Sequence, residues 1–340
     1  MDINSSEYRI YDPSHQILFF TCSGIIGVIM NSLAFYIIWF KSGNIGTYKY
    51  YLMYYQVVSF LADIHVSLLI VPAVYLPVLL CISNGIYWNW FKLSTHYQLG
   101  ILFALIVTSV AALICSFIRK HQSVAAIGQK YLIPSPYKYI LKVFLHVPVF
   151  VVFILFVSGN LDKTEEMELG YKKYPDLIPV LSQPNAELYS TDNSATYLTV
   201  ISMVVTFTVF IVIFLSVYFQ IIQMLHSHRH FMAAKTYSKH IAAVVSLVAQ
   251  LVVLLCWLAI PIGLLLLDVM LVVTNVEVYL NMLICLYSTH STVSTIVMSF
   301  TFPSFRRFIC CQDIPLFSPG TTVAPFQRVN TIKIPKSATR

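Results

Sequence analysis

Acidic side chains are nearly missing from the long apolar runs of this 340-residue chain: across seven such runs the only carboxylate is Asp63. Charged residues make up 10% of the sequence and apolar residues 58%, too little charge to clothe a soluble domain of this size. No run shows the period-two alternation of barrel strands, so a membrane β-barrel is excluded and helices remain to satisfy the backbone in lipid. No internal repeat is visible, which argues against a transporter built from two inverted halves. The loop Gly159–Ser194 contains no cysteine, so no disulfide can staple it to the third run. Cys22, Cys115, Cys256 and Cys285 fall inside apolar runs, where cysteine acts as a small hydrophobe.

What is present is a set of seven stretches, each reaching or exceeding the roughly 20 residues needed to cross hydrocarbon at about 1.5 Å per residue. They are Ile17–Phe40, Tyr51–Leu79, Tyr97–Ile118, Tyr139–Ser158, Ala195–Leu225, Ile241–Leu267 and Val278–Phe302. The pattern predicts an all-α integral membrane protein, a seven-transmembrane helix bundle spanning 17–302, with a short N-terminal segment, 1–16, and a tail, 303–340. Pro72, Pro77, Pro148 and Pro261 lie inside these stretches and are expected to kink rather than end their helices. The first stretch is too long for a signal-peptide core and follows acidic residues, so it reads as an uncleaved helix.

The basic residues orient the bundle. Counting Lys142, just inside the fourth stretch, with the connection before it, sixteen of the 21 Lys and Arg belong to the first, third and fifth connections and the tail, leaving five on the opposite side. Positive charge collects on the cytoplasmic side, which predicts the N-terminus outside and the C-terminus inside. The net charge of +7 therefore describes a basic inner rim facing the lipid bilayer and cytosolic partners, not a nucleic-acid surface. Asn4 begins the sequon Asn4-Ser5-Ser6 on the outer side, a candidate glycosylation site. Cys310 and Cys311 follow Arg306-Arg307 after the last stretch, a juxtamembrane setting suited to palmitoylation. The remaining tail, rich in Pro, Ser and Thr, has the composition of a disordered segment.

Several local patterns, in order, resemble one family. They are Tyr48-Lys49-Tyr50-Tyr51-Leu52 leading to Gln56, Asp63-Ile64-His65 with Pro72 and Pro77, and Phe117-Ile118-Arg119-Lys120-His121-Gln122. Lys235-Thr236-Tyr237 with His240, Gln250 and Pro261 follow, then His290-Ser291 through Ile296 to Pro303-Ser304-Phe305-Arg306. Together they resemble the nematode serpentine chemoreceptors of the Str superfamily, most of all class I (Sri) and its neighbour class H (Srh). Some rhodopsin-like hallmarks are missing: the third run ends in Ile118-Arg119-Lys120-His121, and no Asn-Pro-x-x-Tyr occurs in the seventh.

The resemblance implies a G-protein-coupled chemosensory receptor, displayed on the plasma membrane or sensory cilium, that binds a small-molecule ligand and signals to a heterotrimeric G protein. It implies no cofactor. It places the ligand in the outer halves of helices three, five, six and seven, where Tyr97, Gln98, Tyr197 and Tyr279 are candidate contacts under a lid formed by 159–194. Tyrosine favours that depth in any case, as an interfacial anchor. The inner ends of helices three, five and six offer Arg119, Lys120, His121, Arg229, Lys235 and Lys239 to the G protein, although the same residues serve as topology signals.

Two other classes compete. A ligand-gated channel or a transporter needs ionisable groups along a pathway, and the runs offer only Asp63 and a few histidines. A seven-helix metal hydrolase could use His65, His146 and His290, but no HExxH motif occurs.

Asp63 is costly to hold in hydrocarbon unless it faces the bundle interior. Counted along the helices from the inner boundary, Asp63, His290 and Asn31 lie roughly 21, 24 and 15 Å deep. Asn31 and Asp63 also resemble the paired Asn and Asp of rhodopsin-like first and second helices. We therefore expect a polar cluster of Asn31, Asp63 and His290 linking helices one, two and seven. The alternative is a protonated Asp63 bonded locally to Ser59 or Ser67.

Overall fold

The computed structural model describes residues 13–41, 46–75, 79–129, 131–159, 167–168, 170–172, 174–189, 194–271 and 276–302. Asn4, Cys310, Cys311 and the tail lie outside the described residues, as does Pro77.

Seven segments span the bundle. The first is Ser14–Tyr36 with a wider π turn, Ile37–Lys41, and the second is Tyr48–Ile64 with a π turn, His65–Ile70. The third is Thr95–Gly128, the fourth Ser135–Ser158, the fifth Ser194–Ser227 and the sixth Ala234–Leu271. The seventh is a broken pair, Val276–Tyr287 and His290–Thr301, bent by 47°. The third span is the central column: 72% of its most apolar window is buried, against 17% for the fourth and fifth, whose remaining surface is left to lipid. Its buried face carries Val107, Ala111, Ile114 and Phe117, with Phe117 edge-on to Phe214 at 4.6 Å.

The second span ends earlier than the apolar run predicts. Val71 turns into the left-handed region at φ 46, and Pro72 opens a strand. Pro72 has no N–H to offer a helix and disfavours helical backbone in the residue before it, so it stops the helix rather than kinking it. A β-branched residue at positive φ is strained, and the surroundings hold it there. Asn84 N–H donates to Val71 O at 3.1 Å, and the Ile70 carbonyl accepts Gly85 N–H and Ser83 Oγ–H, both at 2.9 Å. By contrast, Pro148 and Pro261 lie within unbroken helices.

The chain between the second and third spans forms β1 (Pro72–Tyr75) and β2 (Leu80–Ser83), and the loop before the fifth span adds β3 (Ala186–Leu188). The sheet is antiparallel, in the order β1-β2-β3, with Ala73 opposite Ile82 and Cys81 opposite Glu187. The bundle is therefore not purely helical. Ala73, Tyr75, Leu80 and Ile82 pack with Leu177, Val180 and Leu181 into a small core of their own. The described part of this loop, chiefly 174–189, thus lies over the end of the bundle at which the first helix begins. We call this the sheet end and the other the basic end.

Candidate functional site

Asp63 is 2% exposed and sits where the second span meets the broken seventh. One carboxylate oxygen accepts from His290 Nδ1–H at 2.8 Å and the other from the main-chain N–H of Ser291 at 2.9 Å. In a continuous helix that amide would go to Tyr287. The bend frees it, and the carboxylate meets the positive end of the helix His290–Thr301. The bend has local causes and no proline. Ser288 and Thr289 hydroxyls each donate to the carbonyl three residues back at 2.7 Å, competing with the helical ladder. Tyr287 stacks on the His290 ring at 5.4 Å, interplanar angle 3°.

Asn31 does not touch Asp63. Its Nδ2 donates to Ser291 Oγ at 2.9 Å and to Gly27 O at 2.8 Å, and its Oδ1 accepts Gln56 Nε2–H at 2.5 Å. Gln56 also donates to Thr295 Oγ1 at 2.8 Å. The three expected residues therefore lie in one buried network joining spans one, two and seven, with Asn31 linked through Ser291. Ser67 Oγ donates to the main-chain carbonyl of Asp63 at 2.6 Å rather than to its carboxylate. Gln56, Ser291 and Thr295 are the members that counting depth does not find. An amide or hydroxyl inside an apolar run is the sequence signal that would have marked them.

Above the network, Trp257 Nε1–H of the sixth span donates to Thr289 Oγ1 at 3.1 Å, at the break itself. Trp257 packs with Phe20, Leu102, Ile106 and Tyr287 in an apolar cluster beneath the sheet. The sheet is pinned to the helices by side-chain amides. Asn281 Oδ1 accepts Val74 N–H at 3.0 Å and its Nδ2 donates to Val74 O at 2.7 Å, while Gln16 Nε2 donates to Pro72 O at 2.9 Å. The cysteine-free loop is tied to the third span without a disulfide. Ser94 Oγ donates to Glu187 at 2.8 Å, Thr95 Oγ1 to Asn185 O at 2.7 Å, and His96 meets the Tyr189 hydroxyl at 3.2 Å.

The four expected ligand contacts do not converge. Gln98 is fully buried, accepting from Ser83 Oγ–H at 2.7 Å and donating to Leu93 O at 2.7 Å, so it holds the sheet to the third span. Tyr97, Tyr197 and Tyr279 are 42, 62 and 64% exposed, on the perimeter where tyrosine anchors a helix in the interface.

At the basic end, Arg229, Lys235 and Lys239 are exposed, whereas Lys120 and His121 are turned inward. Lys120 Nζ lies over the Tyr48 ring at 5.7 Å, and His121 Nε2 bonds Gln220 Oε1 at 2.8 Å. Arg119 donates to the Thr47 hydroxyl. The third helix runs to Gly128, ten residues past the expected boundary, which is why these groups sit on packed helix rather than in a loop.

His65, His146 and His290 are far apart in role. His65 bonds the Gln98 carbonyl at 2.8 Å and His146 the Tyr54 hydroxyl at 2.7 Å. Among the described residues no three His, Cys, Asp or Glu side chains are grouped to hold a metal ion.

Comparison with known proteins agrees with this architecture. A family model described as serpentine type 7TM GPCR chemoreceptor Sri matches residues 8–309. The crystal structure of squid rhodopsin superposes with a TM-score of 0.57 at 13% identity, over 88% of this chain and 87% of that one. At that identity the likeness concerns the fold. No match is found among the curated proteins.

Proposed function

Because the chain belongs to the serpentine-type seven-transmembrane G-protein-coupled chemoreceptor family Sri, and is thus a multi-pass chemosensory receptor, we propose that Asp63 couples its ligand end to its G-protein end. The single observation supporting this is the double engagement of Asp63 with His290 and the Ser291 amide at the break of the seventh span. A small, largely apolar ligand acts at the sheet end, against the cluster that includes Trp257. Displacing Trp257 loosens Thr289, and the lower half of the seventh span then turns about its anchor on Asp63.

In this reading the N-terminus and sheet face outward, the C-terminus faces the cytosol, and Arg229, Lys235 and Lys239 meet an acidic surface of a Gα subunit. The receptor carries no catalytic role and resides in the plasma membrane, including that of sensory cilia. The support is the sixteen basic residues on one side against five on the other. In cells, an N-terminal tag is expected to stain without permeabilisation and a C-terminal tag only with it. Calcium or cAMP responses to a panel of small molecules, with a co-expressed Gα, are expected to disappear in Arg229→Glu with Lys239→Glu while surface staining persists. Unchanged responses would assign these residues to topology alone.

A further inference from the structure

At the basic end the second, third and fourth spans leave a partly open cavity of about 220 Å³. Among the described residues three cationic side chains line it, Arg119, Lys138 and Lys142, together with Thr47, Gln122 and Tyr51, and no carboxylate. Among the described residues the basic end carries no carboxylate at all: Asp63 is taken up deep in the bundle, and Glu168, Asp176, Glu187, Asp268 and Glu277 belong to the sheet end. Lys138 and Lys142 are four residues apart on one helix, so their charges repel unless an anion joins them.

Two of the three cations are held in place. Arg119 donates to the Thr47 hydroxyl, and Lys142 Nζ lies over Tyr51 at 5.1 Å and over Tyr139 at 5.6 Å. The volume is smaller than the roughly 300–1,000 Å³ of sites that swallow a drug-sized ligand, but it suits a headgroup whose remainder stays outside. Tyr139, Val143, Val147 and Phe150 run up the exposed face of the fourth span next to the cavity, where acyl chains would lie.

We propose that this cavity binds the phosphate-bearing headgroup of an acidic lipid, with Arg119, Lys138 and Lys142 as its ligands. Arg119 supplies a planar fork for phosphate oxygens and the two lysines supply point charges. A bound headgroup ties the third span to the fourth and to the turn at Thr47. The proposal rests on the basic end facing the cytosol, where acidic lipids concentrate. A soluble inositol phosphate offers the same chemistry, and the two sources are separable.

The test is native mass spectrometry of the full chain in detergent, which reads binding whatever the orientation in cells. The probes are phosphatidylinositol bisphosphate, phosphatidylcholine and soluble inositol trisphosphate. Adducts are expected with the acidic lipid and not with phosphatidylcholine. They should fall at least about tenfold in Lys138→Gln with Lys142→Gln and return in Lys138→Arg with Lys142→Arg. They should stay unchanged in Lys49→Gln, a lysine of the same end that is not among the lining side chains. Equal, residue-dependent affinity for inositol trisphosphate would support the phosphate site and assign a soluble source. Adducts that ignore the Lys138/Lys142 pair, or fall equally in Lys49→Gln, would overturn it.

Discussion

Asp63 accepts the main-chain N–H of Ser291 at 2.9 Å, in the turn where the seventh span breaks. A helix end inside a bundle needs a partner for its free amides, and an interior carboxylate needs donors. Each satisfies the other here, so the break and the acid are one feature.

Gly85 is required by close packing. A Cβ at this position would stand 2.3 Å from the Leu69 carbonyl oxygen, which is backbone and cannot swing aside. Gly85→Ala is expected to cost about 1–3 kcal/mol by overpacking. Thermal unfolding of the purified receptor checks it, and an unchanged midpoint would contradict the approach of the sheet to the second span.

Asn281 holds β1 by imitating a neighbouring strand, with one donor and one acceptor on Val74. Asn281→Ala strips both and leaves buried groups unpaired, at about 1–3 kcal/mol each. Hydrogen exchange should quicken at the Val74 amide while the third span keeps its protection. Equal protection in both proteins would show that the strand is held by other contacts.

Cys81 lies in the sheet opposite Glu187, outside the spans. Burial, with the neighbouring Glu187 charge adding to it, pushes its thiol up to about 12. A raised value keeps the thiol neutral until that pH, so the nucleophilic thiolate is absent at neutral pH. Alkylation of the folded receptor near neutral pH should leave Cys81 unmodified and unfolding should expose it, as peptide mapping would report. Rapid labelling in the folded state would mean that the sheet opens readily.

The number and approximate place of the spans were legible because long apolar runs are a direct consequence of lipid. Helix ends were not. Charge marks the edge of hydrocarbon, yet the third helix continues to Gly128 because Lys120, His121 and Gln122 are packed against other helices. Membrane helices tolerate proline, so Pro72 alone announces a kink; strand pairing to Ser83 and a left-handed Val71 end the helix here. The bend at Tyr287–His290 has no proline or glycine to announce it. Rise per residue is fixed, so depth along the helices puts Asp63 and His290 at one level, and the two are bonded. It did not reveal that Ser291 stands between Asn31 and Asp63, because depth says nothing of direction around a helix axis. The same limit holds for Tyr97, Tyr197 and Tyr279, whose depth the sequence gives but not their direction around the helix axis.

The most direct test of the joint is a double-mutant cycle of Asp63→Asn and His290→Ala, read in thermal stability and in basal signalling. Asp63→Asn keeps the shape of the side chain and removes its charge, and His290→Ala removes the facing donor. If Asp63 and His290 act as one link, the two effects are non-additive by roughly 0.5–3 kcal/mol in stability, and the second substitution adds little to the shift in basal signalling. Strict additivity in both readouts would contradict the account.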